Sequence, residues 1–199
     1  MVARLPNPER HRSIVDAAIR CFAERGFAGT TTRTLARAAG VSEALVFRHF
    51  PDKKALYTAI LERKFAVPEP GYFPEEAAAR GDDRLVLESI ASTLLRRVDA
   101  DPSFLRLMTF SGLEGNPLPR MFYEGRGSGM FRFLAAYLGR RIKVGAMRTM
   151  DPRIAARAFL GMVMQHLNGR HVLRFPERSP GAGKLVRTWV DLFLGGMRR

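Results

Sequence analysis

The chain is short of cysteine, tryptophan and acidic side chains, and it has no long apolar run. Its one cysteine, Cys21, excludes an intramolecular disulfide and suits a reducing compartment. Cys21 falls on the apolar stripe of the first predicted helix, which favours a buried structural thiol over a redox sensor that would need exposure. No stretch is apolar for long enough to span a bilayer, and Met1 to Ser13 is basic and polar, unlike a signal peptide. The expectation is a soluble, cytoplasmic protein with no membrane partner. No strand-like alternation and no internal repeat stands out, so the expected fold class is all-α.

Groupings that carry catalysis are missing as well. Gly125-x-Gly127-x-Gly129 follows no predicted strand and lacks the dinucleotide-binding spacing, so it reads as flexible backbone. His166 and His171 are five residues apart and do not share one helical face. With a single cysteine and no carboxylate cluster beside them, a metal site is not expected. No nucleophile has a recognisable base and orienting partner. The reading is therefore of a protein that is not an enzyme and uses no cofactor.

Basic residues and apolar residues are what the chain has in quantity. Hydrophobic residues make up 46% of the 199, enough for a sizeable core in one ordinary domain or two small ones. Thirty-three Lys and Arg against nineteen Asp and Glu leave a net charge of +14, a balance that favours a polyanionic partner. The excess is spread along the chain: twelve basic against six acidic residues in 1–66, and twenty-one against thirteen in 67–199. Charge alone does not locate an interface.

Spacing does. The stretch from Thr30 to Phe50 reads as helix, tight turn, helix. Thr31 is placed to cap the first helix with its hydroxyl, and Leu35, Ala36 and Ala39 form a narrow inner stripe. Gly40 stands where a helix end needs a left-handed residue, and Ser42 caps the second helix two residues later. Val41, Val46 and Phe50 turn back to the core. That leaves Glu43, Ala44, Leu45, Phe47, Arg48 and His49 for the outside, more apolar surface than a solvated face needs. One reading is an ordinary helical hairpin. The other is a helix-turn-helix with its second helix in the major groove of double-stranded DNA. On the second reading Arg33 and Arg48 suit guanine, to which a guanidinium donates twice. Leu45 and Ala44 suit thymine methyl groups, His49 and Lys53 suit phosphates. Glu43 either accepts from a cytosine amine or rejects wrong sites.

The pattern Gly26-Phe27, Thr30-Thr31, Leu35-Ala36, Ala39-Gly40-Val41-Ser42, Phe47-Arg48-His49-Phe50, Lys53-Lys54 and Leu56-Tyr57 goes further. Residues 8–66 resemble the DNA-binding domain of the TetR (tetracycline repressor-type) family of bacterial regulators. The last helix, Trp189 to Gly196, resembles that family more loosely. The resemblance implies a helix-turn-helix domain over 1–66, its linking helix included, and a larger helical domain over 67–199 for effector binding and dimerisation. It places Thr32 at a phosphate contact and Arg33 at a base edge. It also implies a repressor, homodimeric on a palindromic operator and released by a small, largely apolar ligand. Phe47 departs from the family's usual tyrosine, which removes a hydroxyl contact and leaves packing.

Elsewhere the chain reads as helices separated by breakers. A first helix starts at Asn7-Pro8 behind a basic arm over 1–7, and a fourth follows Asp52. Val67 to Asp83, with Pro68, Pro70, Gly71, Pro74 and Gly81, is a boundary, with a short turn over 75–80. Helices follow over 84–100, 102–114, 118–142 with a break at its glycines, 151–172 and 184–197. The chain has nine Met and fourteen Phe, many of them between Phe104 and Met164. Phe104, Met108, Phe122, Met130, Phe133, Met162 and His166 either line an apolar ligand pocket or simply pack the core. The last two helices carry apolar residues on two faces. Ala155, Ala158, Gly161, Val186, Trp189, Val190, Phe193 and Met197 are the expected homodimer interface, against the alternative of a large monomer core. A DNA-binding protein without an effector, and an enzyme or carrier that retains a helix-turn-helix, are the rival classes.

Overall fold

A computed structural model describes residues 7–65, 73–125, 128–176 and 180–198, without the side chains of Asn7 and Lys53. The basic arm, much of the proline-rich boundary and Gly127 lie outside the described residues. Eleven helices are present and no strand occurs among the described residues. They are α1 (Asn7–Arg25), α2 (Thr32–Ala39), α3 (Glu43–His49), α4 (Lys53–Phe65), α5 (Glu75–Arg80), α6 (Asp83–Ala100), α7 (Ser103–Leu113), α8 (Leu118–Glu124), α9 (Gly129–Lys143), α10 (Pro152–His171) and α11 (Ala182–Met197). The fold is all-α. The break expected near the three glycines falls between α8 and α9.

Packing divides the chain differently from chain order. One unit holds α1–α4 together with α7 and α8; the other holds α5, α6 and α9–α11. In the first, Ile14, Ala18 and Phe22 of α1 meet Leu35, Ala36 and Ala39 of α2, Val46 of α3, Phe50, and Tyr57 and Ile60 of α4. Leu107 of α7 and Leu118 of α8 belong to this same core. Each is almost wholly out of water, a burial that stabilises by about 1.5–3 kcal/mol per leucine. Cys21 of α1 is also buried, and burial pushes its thiol pKa up, so the structural reading of the cysteine holds. Tyr57 is fully buried, and burial pushes its phenol to about 12, with the Ser111 hydroxyl of α7 acting the other way.

The second unit is built on Val86, Leu87 and Ile90 of α6, Leu134 and Leu138 of α9, Phe159, Val163 and Leu167 of α10, and Val186 and Val190 of α11. One polar group set ties α6 to α9. Arg141 donates to both carboxylate oxygens of Asp83, at 2.8 and 3.1 Å, and Tyr137 donates its hydroxyl to the same carboxylate at 2.5 Å. Asp83 lies in the first turn of its helix and Arg141 in the last turn of its own, so both charges also suit the helix dipoles.

One sequence expectation changes here. Ala155, Val186, Val190, Phe193 and Met197 are buried in the second unit's own core and leave no surface for a second copy. Spacing finds both stripes of α11, but only the packing of α6 and α10 chooses which faces inward. Ala158 and Gly161 are exposed, and Trp189 is half-buried. The seven pocket candidates divide between the units. Phe104 and Phe122 form a ring cluster with Phe65, with centroids 5.1–5.8 Å apart, and Met108 packs on the first core. In the second unit Met130 is buried, Phe133 stacks on Phe73, Met162 is half-buried, and His166 packs on Trp189.

Candidate nucleic-acid interface

The α2–α3 hairpin is held at every joint by a local device. Thr31 is extended, and its hydroxyl oxygen accepts from the Thr34 amide at 3.1 Å. Gly40 is left-handed, with φ +67°, so the Val41 amide turns back to the Ala36 carbonyl at 3.0 Å. Ser42 is extended again, and its hydroxyl accepts from the Leu45 amide at 3.2 Å, opening α3. Asp52 caps α4 through the Ala55 amide at 2.7 Å. Ser13 of α1 donates to the Ala39 carbonyl at 2.8 Å and fixes the end of α2 to the first helix. Thr31 and Ser42 also fall on the stretch expected to contact DNA, and the hydroxyl oxygen of each accepts a helix-cap bond.

The face that α3 turns outward is partly apolar and partly cationic. Val46 and Phe50 are buried, while Ala44, Phe47 and Arg48 are exposed and Leu45 is half-buried. Phe47 shows 58% of its surface, unusual for a phenylalanine in so small a helix. Thr32 is half-buried at the first turn of α2, and Arg33 beside it is exposed. Arg33 and Glu43, treated separately at the level of sequence, form an ion pair at 3.3 Å between α2 and α3. Lys53 opens α4, and its side chain lies outside the described residues.

His49 corrects the sequence reading. Its ring packs against His11 and Phe50, and Nε2 is enclosed with no hydrogen-bond partner among the described residues. Burial, then His11, Arg48 and Arg10, lower its pKa. Its ring packs between α1 and α3, and the lowered pKa disfavours the charge a phosphate clamp needs.

Residues 14–60 match the model of the tetR family of bacterial regulatory proteins. Residues 86–196, more than half of the chain, match the C-terminal domain of the AefR-like transcriptional repressors. The chain belongs to the TetR family. A TetR-family protein is a helix-turn-helix regulator of transcription that binds DNA, and the geometry of α2 and α3 fits that role. The repressor AcnR of Corynebacterium glutamicum is 29% identical over 158 residues, 77% of each chain. The nucleoid occlusion factor SlmA of Marinobacter nauticus is 28% identical over 182 residues, 86% of each chain. The fold is also that of AibR, solved in complex with isovaleryl coenzyme A and operator DNA: TM-score 0.62, 22% identity, 92% of this chain and 97% of that one.

Some residues of this TetR-family hairpin escape sequence reasoning. Ser13 lies beside the apolar stripe of α1, and nothing in its spacing signals a bond twenty-six residues away. Thr30 donates its hydroxyl to the Gly26 carbonyl at 2.8 Å, steadying the turn before α2. A hydroxyl just ahead of a cap was the available signal for it.

Proposed function

We propose that the chain is a homodimeric repressor that reads a palindromic operator with α2 and α3 and is released by a small, largely apolar ligand. The observation that carries the DNA face is Phe47 and Arg48 side by side in solvent on a helix anchored from behind by Val46 and Phe50. Arg48 and Arg33 read guanine, Ala44, Leu45 and Phe47 contact methyl groups or sugar, and Thr32 and Lys53 meet phosphates. Thr31 and Ser42 serve by capping the helices that carry these groups.

The homodimer reading draws support from the outer faces of α10 and α11. Ile154, Ala158 and Gly161 follow one another at helical spacing on α10, and Leu192 and Gly196 do so on α11, all exposed. Ile154 and Leu192 each leave more than 60% of their surface in water. Small residues between large apolar ones let two helix pairs approach closely about a twofold axis. The effector reading draws support from AibR, which was solved with isovaleryl coenzyme A. Ligand release then requires that the ligand favour a dimer whose reading helices no longer match the half-site spacing.

The test is selection from a random-duplex pool, repeated at two salt concentrations. A palindromic consensus is the expected result. Binding that depends on salt alone, with no consensus, overturns the reading and reduces the excess charge to non-specific attraction.

A further inference from the structure

Glu114 follows the last residue of α7 and lies eighty-seven residues from Phe27, yet its carboxylate is seated on the turn between α1 and α2. The Phe27 amide donates to Oε2 at 3.0 Å and the Ala28 amide to Oε1 at 3.1 Å. The Asn116 side-chain amide donates to Oε2 at 2.8 Å. Gly26 makes the approach possible. Its φ of +70° turns the following amides to one side, forming a backbone concavity suited to an anion. A Cβ at that position would collide with Glu114 Oε1.

Two turns earlier on α7, Arg106 Nε donates to the Ala23 carbonyl at 2.8 Å, one of the last carbonyls of α1. The signs match a helix end: a cation on the orphan carbonyls, an anion on the amides just beyond. Both contacts come from α7 and the residue that follows it, and they bracket the end of α1.

The same turn decides where α2 begins. Thr30 donates its hydroxyl to the Gly26 carbonyl, and its amide to the Phe27 carbonyl at 3.0 Å. Thr31, the next residue, is the cap of α2. Thr32 and Arg33 open the helix, so a loosened turn displaces them together. Recognition groups tolerate about 0.5 Å of misplacement.

We infer that Glu114 is a positioning residue for DNA recognition: it contacts no DNA and sets the start of α2 by holding the Phe27 and Ala28 amides. This rests on the reading of α2 and α3 as the DNA face. A carboxylate bound to two amides and a side-chain amide is more than a solvated surface charge, because each bond is charge-assisted.

Four forms of the full chain test it: wild type, E114A, E114Q and R48A. Amide exchange by NMR needs no DNA and reads the contact directly. E114A is expected to raise exchange at Phe27 and Ala28 about tenfold or more. It is expected to lower affinity for the selected duplex about tenfold while binding to a scrambled duplex, and its salt slope, stay unchanged. E114Q keeps the size and one acceptor oxygen but turns an NH2 toward the other amide, so the same split is expected at smaller amplitude. If E114A does not fold, E114Q carries the test. Unchanged exchange, or an equal loss on selected and scrambled duplexes, overturns the proposal. R48A separates the two readings. If R48A loses the selected duplex and E114A keeps it, the positioning role fails alone. If R48A keeps full affinity, the DNA face itself is misread, and the positioning role falls with it.

Discussion

Arg33 and Glu43 meet across the turn of the hairpin, guanidinium Nε to carboxylate Oε1 at 3.3 Å. Arg33 is largely exposed and Glu43 nearly half exposed, so the pair contributes about 0–1 kcal/mol to stability. Its larger consequence is electrostatic, because it neutralises one of the cations offered to DNA. E43Q is expected to leave the urea midpoint nearly unchanged and to strengthen binding to any duplex several-fold at low salt. The gain shrinks as salt rises. Fluorescence anisotropy on selected and scrambled duplexes checks this. Weaker binding confined to the selected sequence would instead make Glu43 a reader of cytosine.

Arg48 is the exposed cation of α3 and makes no ion pair among those described. R48A is expected to cost about 1–3 kcal/mol on the selected duplex and to relax preference at the base it reads. A uniform loss across all sequences, with a reduced salt slope, would show a phosphate contact instead.

Gly26 and Gly40 are both left-handed, with φ of +70° and +67°, but their surroundings differ. At Gly40 a Cβ meets nothing within 4 Å, so G40A is expected to cost only the backbone term of about 1–2 kcal/mol. At Gly26 it collides with the Glu114 carboxylate, which must leave the Phe27 and Ala28 amides to make room, so G26A is expected to cost more. Urea unfolding of the two variants gives the order directly, and equal costs would contradict it.

His49 and His166 are both held below the ordinary imidazole value of 6.5, first by burial. For His49 the neighbours His11, Arg48 and Arg10 act the same way; for His166, Arg170 does, Asp99 opposes and His171 adds. The unfolded chain therefore binds these protons more readily. Stability from this source is complete above about pH 6.5 and is lost as pH falls through the depressed folded values. Urea midpoints between pH 8 and 5 are expected to fall on acidification, and H49Q is expected to flatten that slope. An unchanged slope in H49Q would remove His49 as a contributor.

Leu192 and Val190 lie two residues apart on opposite faces of α11, 64% and 0% exposed. L192D is expected to keep the helical fold and yield monomers in sedimentation, with weaker operator binding. V190D is expected to unfold the second unit, since a lone buried carboxylate is costly. A wild-type chain that sediments as a monomer, or an L192D form that stays dimeric, would refute this interface.

Caps and turns were legible in the sequence because their causes are local. Thr31, Gly40 and Ser42 act on amides and carbonyls a few residues away, and all three take the expected geometry. Helix boundaries followed from the same breakers. The buried Cys21 and the inner stripe of the hairpin followed from periodicity, which a single helix displays by itself.

What remained hidden depends on residues far apart in the chain. His49 reads as a phosphate contact from its type and place; in the fold His11 and Phe50 pack on its ring, and burial lowers its pKa. The two apolar stripes of α11 are alike in composition, and only contact with α6 and α10 decides which is core. Leu107 and Leu118 join the helix-turn-helix unit although fifty or more residues separate them from Phe50. The sequence by itself determined an all-α chain with a capped helix-turn-helix, since hydrogen bonding within a turn and helical period need no distant partner. The tertiary structure decided which charges are paired, which rings are enclosed and which helices share a core, because burial is a property of what arrives from elsewhere in the chain.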